Sequence, residues 1–133
     1  MNGRISRSMV FIPALLLYVL PAIATRADTY VRYGPAADVA AVGVLAKKAS
    51  ASDGPSTLGP IVVVGSTAYV NVYNEGSAEI FFKKVGGKWK IVETNGGVGT
   101  AATYAQFSHG ALSAAQICAL GHHIPDGVIT DCR

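Results

Sequence analysis

The stretch TAYVNVYNEGSAEIFFKKVGGKWKI, residues 67–91, decides the fold of this chain. Apolar and polar side chains alternate along it with a period of two, which is typical of β-strands with distinct faces. The alternation is interrupted at residues 75–77 and again at Gly86 and Gly87, two short segments that favour tight turns. The stretch therefore predicts three strands joined as an antiparallel meander. The predicted core face comprises Ala68, Val70, Val72, Ile80, Phe82, Trp89 and Ile91.

Helical patterns flank the meander on both sides. Residues 35–50 are rich in alanine, begin with proline and carry lysines near the end, which suits the first and last turns of a helix. Residues 51–60 are rich in Ser, Gly and Pro and are predicted as a loop. Residues 100–108 indicate a short helix, and Ser113 with Gln116 has the spacing of a capping box. These elements predict one α+β domain, a small antiparallel β-meander with helices packed on one face.

The first 27 residues have the composition of a cleaved secretory signal peptide. A short basic region is followed by an apolar run of 12 residues, 9–20, and then by small residues. This run is shorter than the ~20 residues that a membrane-spanning helix needs. We predict cleavage after Ala24 or Ala27. The second site leaves residues 28–133 as a single exported domain, periplasmic or extracellular, with no membrane span in the mature chain.

The charge balance argues against a nucleic-acid partner. The chain carries 11 Lys and Arg against 8 Asp and Glu, a net charge of +3. Arg4, Arg7 and Arg26 lie in the predicted leader, so the mature chain has equal numbers of basic and acidic residues. A neutral domain lacks the general excess of cations that is typical of nucleic-acid binding. The expected partner is therefore an unspecified protein or small ligand.

Cys118 and Cys132 are the two cysteines of the chain. An even count in an exported chain predicts a disulfide, which closes a loop of about 15 residues and stabilises the fold by about 3 kcal/mol. The C-terminal cysteine and histidine segment also offers a metal site as an alternative. The Cys118 thiolate, His122 and His123, with His109 as a further ligand, would suit copper or zinc. The two interpretations compete, since a disulfide removes the thiolate.

No group of residues has the spacing of a catalytic site, so we predict a protein that is not an enzyme and has no cofactor. Gly97, Gly99 and Ala102 match the letters G-x-G-x-x-A of dinucleotide-binding proteins. That motif needs a parallel βαβ unit, whereas a meander precedes these glycines. The serines and histidines show no spacing that joins a nucleophile to a base.

The outward face of the meander is the candidate binding surface. Exposed aromatic rings beside cations often mark such a surface. If helices cover this face, however, its rings belong to the core, and the sequence leaves both interpretations open. The residues concerned are Tyr69, Tyr73, Phe81, Lys83, Lys88 and Lys90.

The meander also resembles a known family. The stretch GSTAYVNVYNEGSAEIFFKKVGGKWKIVETNGG, residues 65–97, is similar to small exported bacterial proteins described as copper uptake system-associated. The likeness covers about half of the mature chain and rests on turn and core residues, so it implies a fold more than a function. The family offers no catalytic residues to carry over, and its copper label comes from association rather than from a ligand motif. The matching residues are Phe82, Lys83, Lys84, Gly87, Lys88, Trp89, Gly96, Gly97 and Gly110.

The function expected from the sequence is that of an exported, non-enzymatic binding or accessory protein. Handling of copper or zinc through the C-terminal cysteine and histidine segment is the first alternative. A small secreted hydrolase is the second.

Overall fold

The computed structural model describes residues 31–93, 99–125 and 128–132, and the predicted signal peptide lies outside this part of the chain. The strands are β1 Arg32–Tyr33, β2 Thr57–Val64, β3 Thr67–Tyr73, β4 Ser77–Val85 and β5 Lys88–Val92. The helices are α1 Ala36–Ala49, α2 Ala101–Phe107 and α3 Ala114–Gly121, with a short 3-10 helix at Ala51–Asp53. The strands form one sheet in the order β1-β2-β3-β4-β5. β1 is parallel to β2, and all other neighbours are antiparallel.

The predicted meander is confirmed as strands β3 to β5. Gly86 and Gly87 form the turn between β4 and β5, and both have positive φ, 57° and 78°. Glycine adopts this conformation without a steric cost, and it matches the twist of a two-residue hairpin. The turn sets the register in which Val85 pairs with Lys88. Because the period is two, this register also fixes which side chains lie opposite one another along the hairpin.

β2 begins inside the segment that was predicted as a loop. Its first residues pair with the end of β3, and the register shifts between Leu58 and Ile61. Gly59 and Pro60 lie at this irregularity, where the missing N–H of proline is tolerated. The loop prediction for residues 57–60 was therefore wrong, because pairing with β3 outweighs the local preference of Gly and Pro.

Helix α1 covers one face of the sheet. Its residues Val42 and Ala46 are completely buried against the sheet. Gly43 lets α1 approach β2 closely, since a Cβ at this position would lie only 3.2 Å from the Leu58 side chain. The buried sheet residues on this face are Ile61, Val63, Ala68, Val70, Val72 and Phe82.

The predicted core face is confirmed beneath α1 but not at the edge of the sheet. Ala68, Val70, Val72 and Phe82 are fully buried. Ile80 and Trp89 are partly buried against the same cluster, whereas Ile91 on β5 is 47% exposed. The reason is that α1 packs mainly on β2 and β3 and leaves the edge strand partly uncovered.

The opposite face of the sheet is covered as well. Helices α2 and α3 and the C-terminal segment pack against Val62, Tyr69, Phe81 and Val92. The α+β class is confirmed, but the helices lie on both faces of the sheet rather than on the one face expected. Six of the seven residues of β3 are buried, which requires a cover on each of its faces.

The two short helices begin at the predicted polar residues. The Thr100 side chain accepts a hydrogen bond from the backbone N–H of Thr103. Ser113 and Gln116 form a complete capping box, each side chain accepting from the backbone of the other. Within the described ranges, no helix has both the length and the apolar character needed to cross a bilayer.

Candidate functional site

The aromatic half of the predicted binding surface is buried. Tyr69 and Phe81 have no exposed surface, and Tyr73 is half-buried. The Tyr69 and Phe81 rings pack edge to face with centroids 5.4 Å apart, and Tyr104 of α2 lies 5.1 Å from Phe81. Of the two interpretations that the sequence left open, the second therefore applies to Tyr69 and Phe81: α2 and α3 cover them, and their rings belong to the core.

A partly buried hydrogen bond links α2 to the β3–β4 hairpin. The Tyr104 hydroxyl donates a hydrogen bond of 2.7 Å to Oε2 of Glu79. Burial raises the pKa of the Glu79 carboxyl, although the hydrogen bond from Tyr104 acts in the opposite direction. Burial also raises the pKa of the Tyr104 hydroxyl, and the adjacent Glu79 adds to this effect. We interpret this pair as a structural link between helix and sheet.

The hydroxyl of Tyr69 is the one buried side-chain polar atom without a hydrogen-bond partner in the described part of the chain. Burial is the main cause that raises its pKa, and the charge of Glu79 adds to the shift. Nearby, the Asn71 side chain accepts a hydrogen bond of 2.9 Å from the Ser77 hydroxyl. The unpartnered hydroxyl is a local cost to stability beside the Tyr104–Glu79 pair.

The basic half of the predicted surface remains accessible. Lys83 is half-buried, and Lys88 and Lys90 are exposed; we call these three residues the lysine patch. Lys83 of β4 lies directly opposite Lys90 of β5, which places their Cβ atoms about 4.5–5.5 Å apart. Lys88 precedes Lys90 by two residues and therefore shares its face. The register thus brings three positive side chains together at the β5 edge.

The lysine patch differs from its neighbour Lys84, which points to the other face. The ammonium of Lys84 lies 3.0 Å from Oδ1 of Asp38 in the first turn of α1. Within residues 31–93, 99–125 and 128–132 this is the only ion pair. Like charges directly opposite each other in a sheet repel. The patch is therefore a group of cations with which no described acidic side chain forms an ion pair.

Trp89 belongs to the cluster around Asp38 rather than to a closed core. Its indole N–H donates a hydrogen bond of 3.0 Å to the same Oδ1 atom, and the Lys84 ammonium lies 5.5 Å from the ring centroid. These contacts hold the pKa of Asp38 below its usual value, the hydrogen bond from Trp89 first and that from Lys84 second. The cluster links the start of α1 to the β4–β5 hairpin.

The C-terminal segment is held by the predicted pair of cysteines. Cys118 and Cys132 are joined as a disulfide with their Cα atoms 5.1 Å apart. Next to it, Asp131 accepts a hydrogen bond of 2.8 Å from the backbone N–H of Ala101, and Gly99 forms a parallel bridge with Ile129. The last residues therefore tie the start of α2 to the end of α3.

The three candidate metal-binding histidines are not brought together. The His123 ring stacks on Tyr33 of β1 with centroids 3.6 Å apart, while His109 and His122 are exposed. In the described part of the chain, the one group of three potential metal ligands within reach of one another is Cys118, Asp131 and Cys132. Its two sulfur atoms are bonded to each other, so neither is a thiolate that could bind a soft metal.

Two surface depressions lie on the side of the sheet away from the lysine patch. A groove of about 250 Å³ lies between α1 and β2, and its lining includes apolar Val39 and Leu58 together with Arg32 and Lys47. A wider, open depression of about 540 Å³ lies beside Gly54 at the end of α1. Neither was predicted from the sequence. The groove joins residues that are distant along the chain, such as Arg32 and Ile61, whereas the open depression lies within residues 47–56.

Comparisons with protein-family models, with curated proteins and with solved structures find no match to this chain. The resemblance to copper uptake system-associated proteins therefore stays a prediction. Fold and surface together define a small α+β domain with a three-layer arrangement and a basic patch at one edge of its sheet.

Proposed function

We propose that the chain is an exported, non-enzymatic binding or accessory protein that uses the lysine patch to bind an acidic partner. One observation carries the proposal: strand register brings Lys83, Lys88 and Lys90 onto one face, and no described acidic side chain pairs with them. An acidic partner would relieve the repulsion among these lysines. Complementary charge of this kind increases both specificity and the rate of association.

The distribution of charge along the chain supports this surface. Residues 83–90 contain four lysines and no acidic residue, although residues 28–133 as a whole carry no net charge. Lys84 is neutralised by Asp38 on the other face. The positive potential is therefore local, which suits a short acidic segment of a protein rather than the extended backbone of a nucleic acid.

The proposed compartment is the periplasm or the extracellular space. The leader in residues 1–27 has the basic, apolar and small-residue order of a secretory signal. A disulfide is compatible with this compartment, since such bonds persist mainly in oxidising surroundings. The disulfide also weakens the case for metal handling through Cys118, so we place that function second.

Titration with hexaglutamate, a peptide of six glutamates, tests the proposed surface. We expect binding to the wild-type protein that weakens as salt is added, because exposed ion pairs are screened over about 8 Å at physiological ionic strength. The Lys88→Gln/Lys90→Gln variant should bind about twofold to about thirtyfold more weakly, since each exposed pair contributes about 0.2–1 kcal/mol.

The matched control is the Lys47→Gln/Lys48→Gln variant. It removes the same net charge from the exposed last turn of α1 and should bind hexaglutamate as the wild-type protein does. Equal weakening in both variants would show a response to net charge alone and would reject the lysine patch as the binding surface. Absence of binding by the wild-type protein would reject the proposed function.

A further inference from the structure

The two edge strands of the sheet differ in their capacity to pair with a further strand. At one edge, β1 consists of two residues, Pro60 interrupts the hydrogen-bonding pattern of β2, and the Arg32 guanidinium donates a hydrogen bond of 2.6 Å to the Gly59 carbonyl. At the other edge, β5 presents five residues without proline. No described segment pairs with its outer side. An unpaired edge of this length is a template for an added strand.

The side chains of β5 present different chemistry on the two faces of this edge. Lys88 and Lys90 lie on one face, and Trp89 and Ile91 lie on the other. Ile91 is 47% exposed, and Trp89 is partly buried. A strand that paired with β5 would therefore meet cations on one side and apolar surface on the other.

We propose that β5 binds an extended segment of a partner protein as a sixth strand, in which acidic side chains alternate with apolar ones. The acidic residues face the lysine patch, and the apolar residues extend the cover over Trp89 and Ile91. This proposal rests on the proposed function for its charge and adds to it the backbone pairing and the alternating sequence. In such complexes main-chain hydrogen bonds supply affinity and alternate side chains supply specificity.

Charge disfavours a second copy of this chain in the two registers that oppose lysines of β5. An antiparallel pair of β5 strands centred on Lys90 would place that lysine against its own copy. A pair centred on Trp89 would place Lys88 against Lys90 twice. Like charges directly opposite each other destabilise a sheet, and an acidic strand from a different protein avoids the repulsion that these two registers carry.

Three synthetic peptides of equal composition test the proposal. The first alternates Glu and Val over six residues, the second groups three Glu before three Val, and the third is the alternating peptide with N-methylated backbone amides on its pairing edge. Trp89 is the sole tryptophan of the chain, so its fluorescence reports binding at β5. We expect the alternating peptide to bind at least about tenfold more tightly than either control. The N-methylated peptide loses backbone hydrogen bonds to β5, and the grouped peptide places glutamates and valines on both faces of the added strand.

Hydrogen exchange and two further variants locate the contact. The alternating peptide should slow exchange of the β5 amides and leave α1 unchanged. Ile91→Ser should weaken its binding severalfold, whereas Val44→Ser, at an apolar position on α1 that is 67% exposed, should not.

The possible outcomes separate this proposal from the one on which it rests. Equal binding of all three peptides would overturn strand addition and leave acidic recognition by the lysine patch intact. Binding of hexaglutamate without binding of the alternating peptide would have the same meaning. Protection of β5 that increases with protein concentration, without peptide, would show that a second copy occupies the edge and would overturn the proposal. If no acidic peptide binds, the proposed function fails and strand addition fails with it.

Discussion

The two covered faces of the sheet are built from different chemistry. Beneath α1 the buried residues are mostly small and aliphatic, as in Val63, Ala68 and Val70. Beneath α2 and α3 the rings of Tyr69, Phe81 and Tyr104 dominate, and a disulfide closes the cover. The aromatic face thus depends on a few large side chains and one covalent link, whereas the aliphatic face spreads its packing over many small contacts. Single substitutions should therefore act unequally on the two faces.

Phe81 and Phe82 provide the most direct comparison, because they are adjacent, fully buried and on opposite faces. Each Phe→Ala substitution should lower the free energy of unfolding by about 3–5 kcal/mol. Phe81→Ala should cost more by about 0.5–1.5 kcal/mol, because it also removes ring contacts with Tyr69 and Tyr104. Urea denaturation followed by circular dichroism measures both. If the alanine variants do not fold, Phe81→Leu and Phe82→Leu should keep the same order; a smaller loss at Phe81 would reverse the comparison.

The disulfide should stabilise the fold by nearly as much as one of the buried phenylalanine side chains. Cys118→Ala/Cys132→Ala should reduce the free energy of unfolding by about 3 kcal/mol, because the bond closes a loop of about 15 residues in the unfolded chain. In native-state hydrogen exchange, amides of α3 should lose more protection than those of α1. Reduced wild-type protein is the control for the substitution itself. Equal loss of protection in α1 and α3 would show that the two faces do not open separately.

Trp89 on the aliphatic side should contribute less than either phenylalanine. It is only partly buried, so Trp89→Ala should cost about 1–2 kcal/mol instead of the larger loss expected for a core tryptophan. Trp89→Phe keeps an aromatic ring but loses the hydrogen bond to Asp38. Its free energy of unfolding should therefore lie between those of the alanine variant and the wild-type protein. A loss above about 3 kcal/mol for Trp89→Ala would place this residue in the core.

The parts of the fold that the sequence predicted are those governed by local rules. The β4–β5 turn follows from two consecutive glycines, and the start of α3 follows from Ser113 and Gln116. The lysine patch followed from alternation, which places Lys83, Lys88 and Lys90 on one face. The cover over Tyr69 could not be predicted in this way, because it depends on how distant helices pack against the sheet. The same holds for the contacts between Asp38 and the β4–β5 hairpin.

The smallest effect expected is the pH dependence of the aromatic face. Burial raises the pKa of Glu79 above its ordinary value of 4.5, so the folded state favours the protonated carboxyl. The associated stability is present at low pH and is lost as pH rises through the folded-state pKa. Glu79→Gln keeps an acceptor for Tyr104 without the charge. Its free energy of unfolding relative to the wild-type protein should therefore increase between about pH 4 and about pH 8.

Thermal denaturation across this range measures the difference, with Glu75→Gln as an exposed control. A relative stability of Glu79→Gln that falls as pH rises would show that the ionised carboxylate stabilises the fold, contrary to the burial argument.

The proposed function requires acidic partners to bind at β5, the edge strand whose outer side pairs with no described segment. Backbone amide chemical shifts of isotope-labelled protein during hexaglutamate titration test it most directly. We expect progressive shifts at Lys83 and along Lys88–Val92, with little change in the last turn of α1 or at His122 and His123. Shifts confined to α1 or to the histidine segment would contradict the proposed function and assign binding to a different part of the molecule.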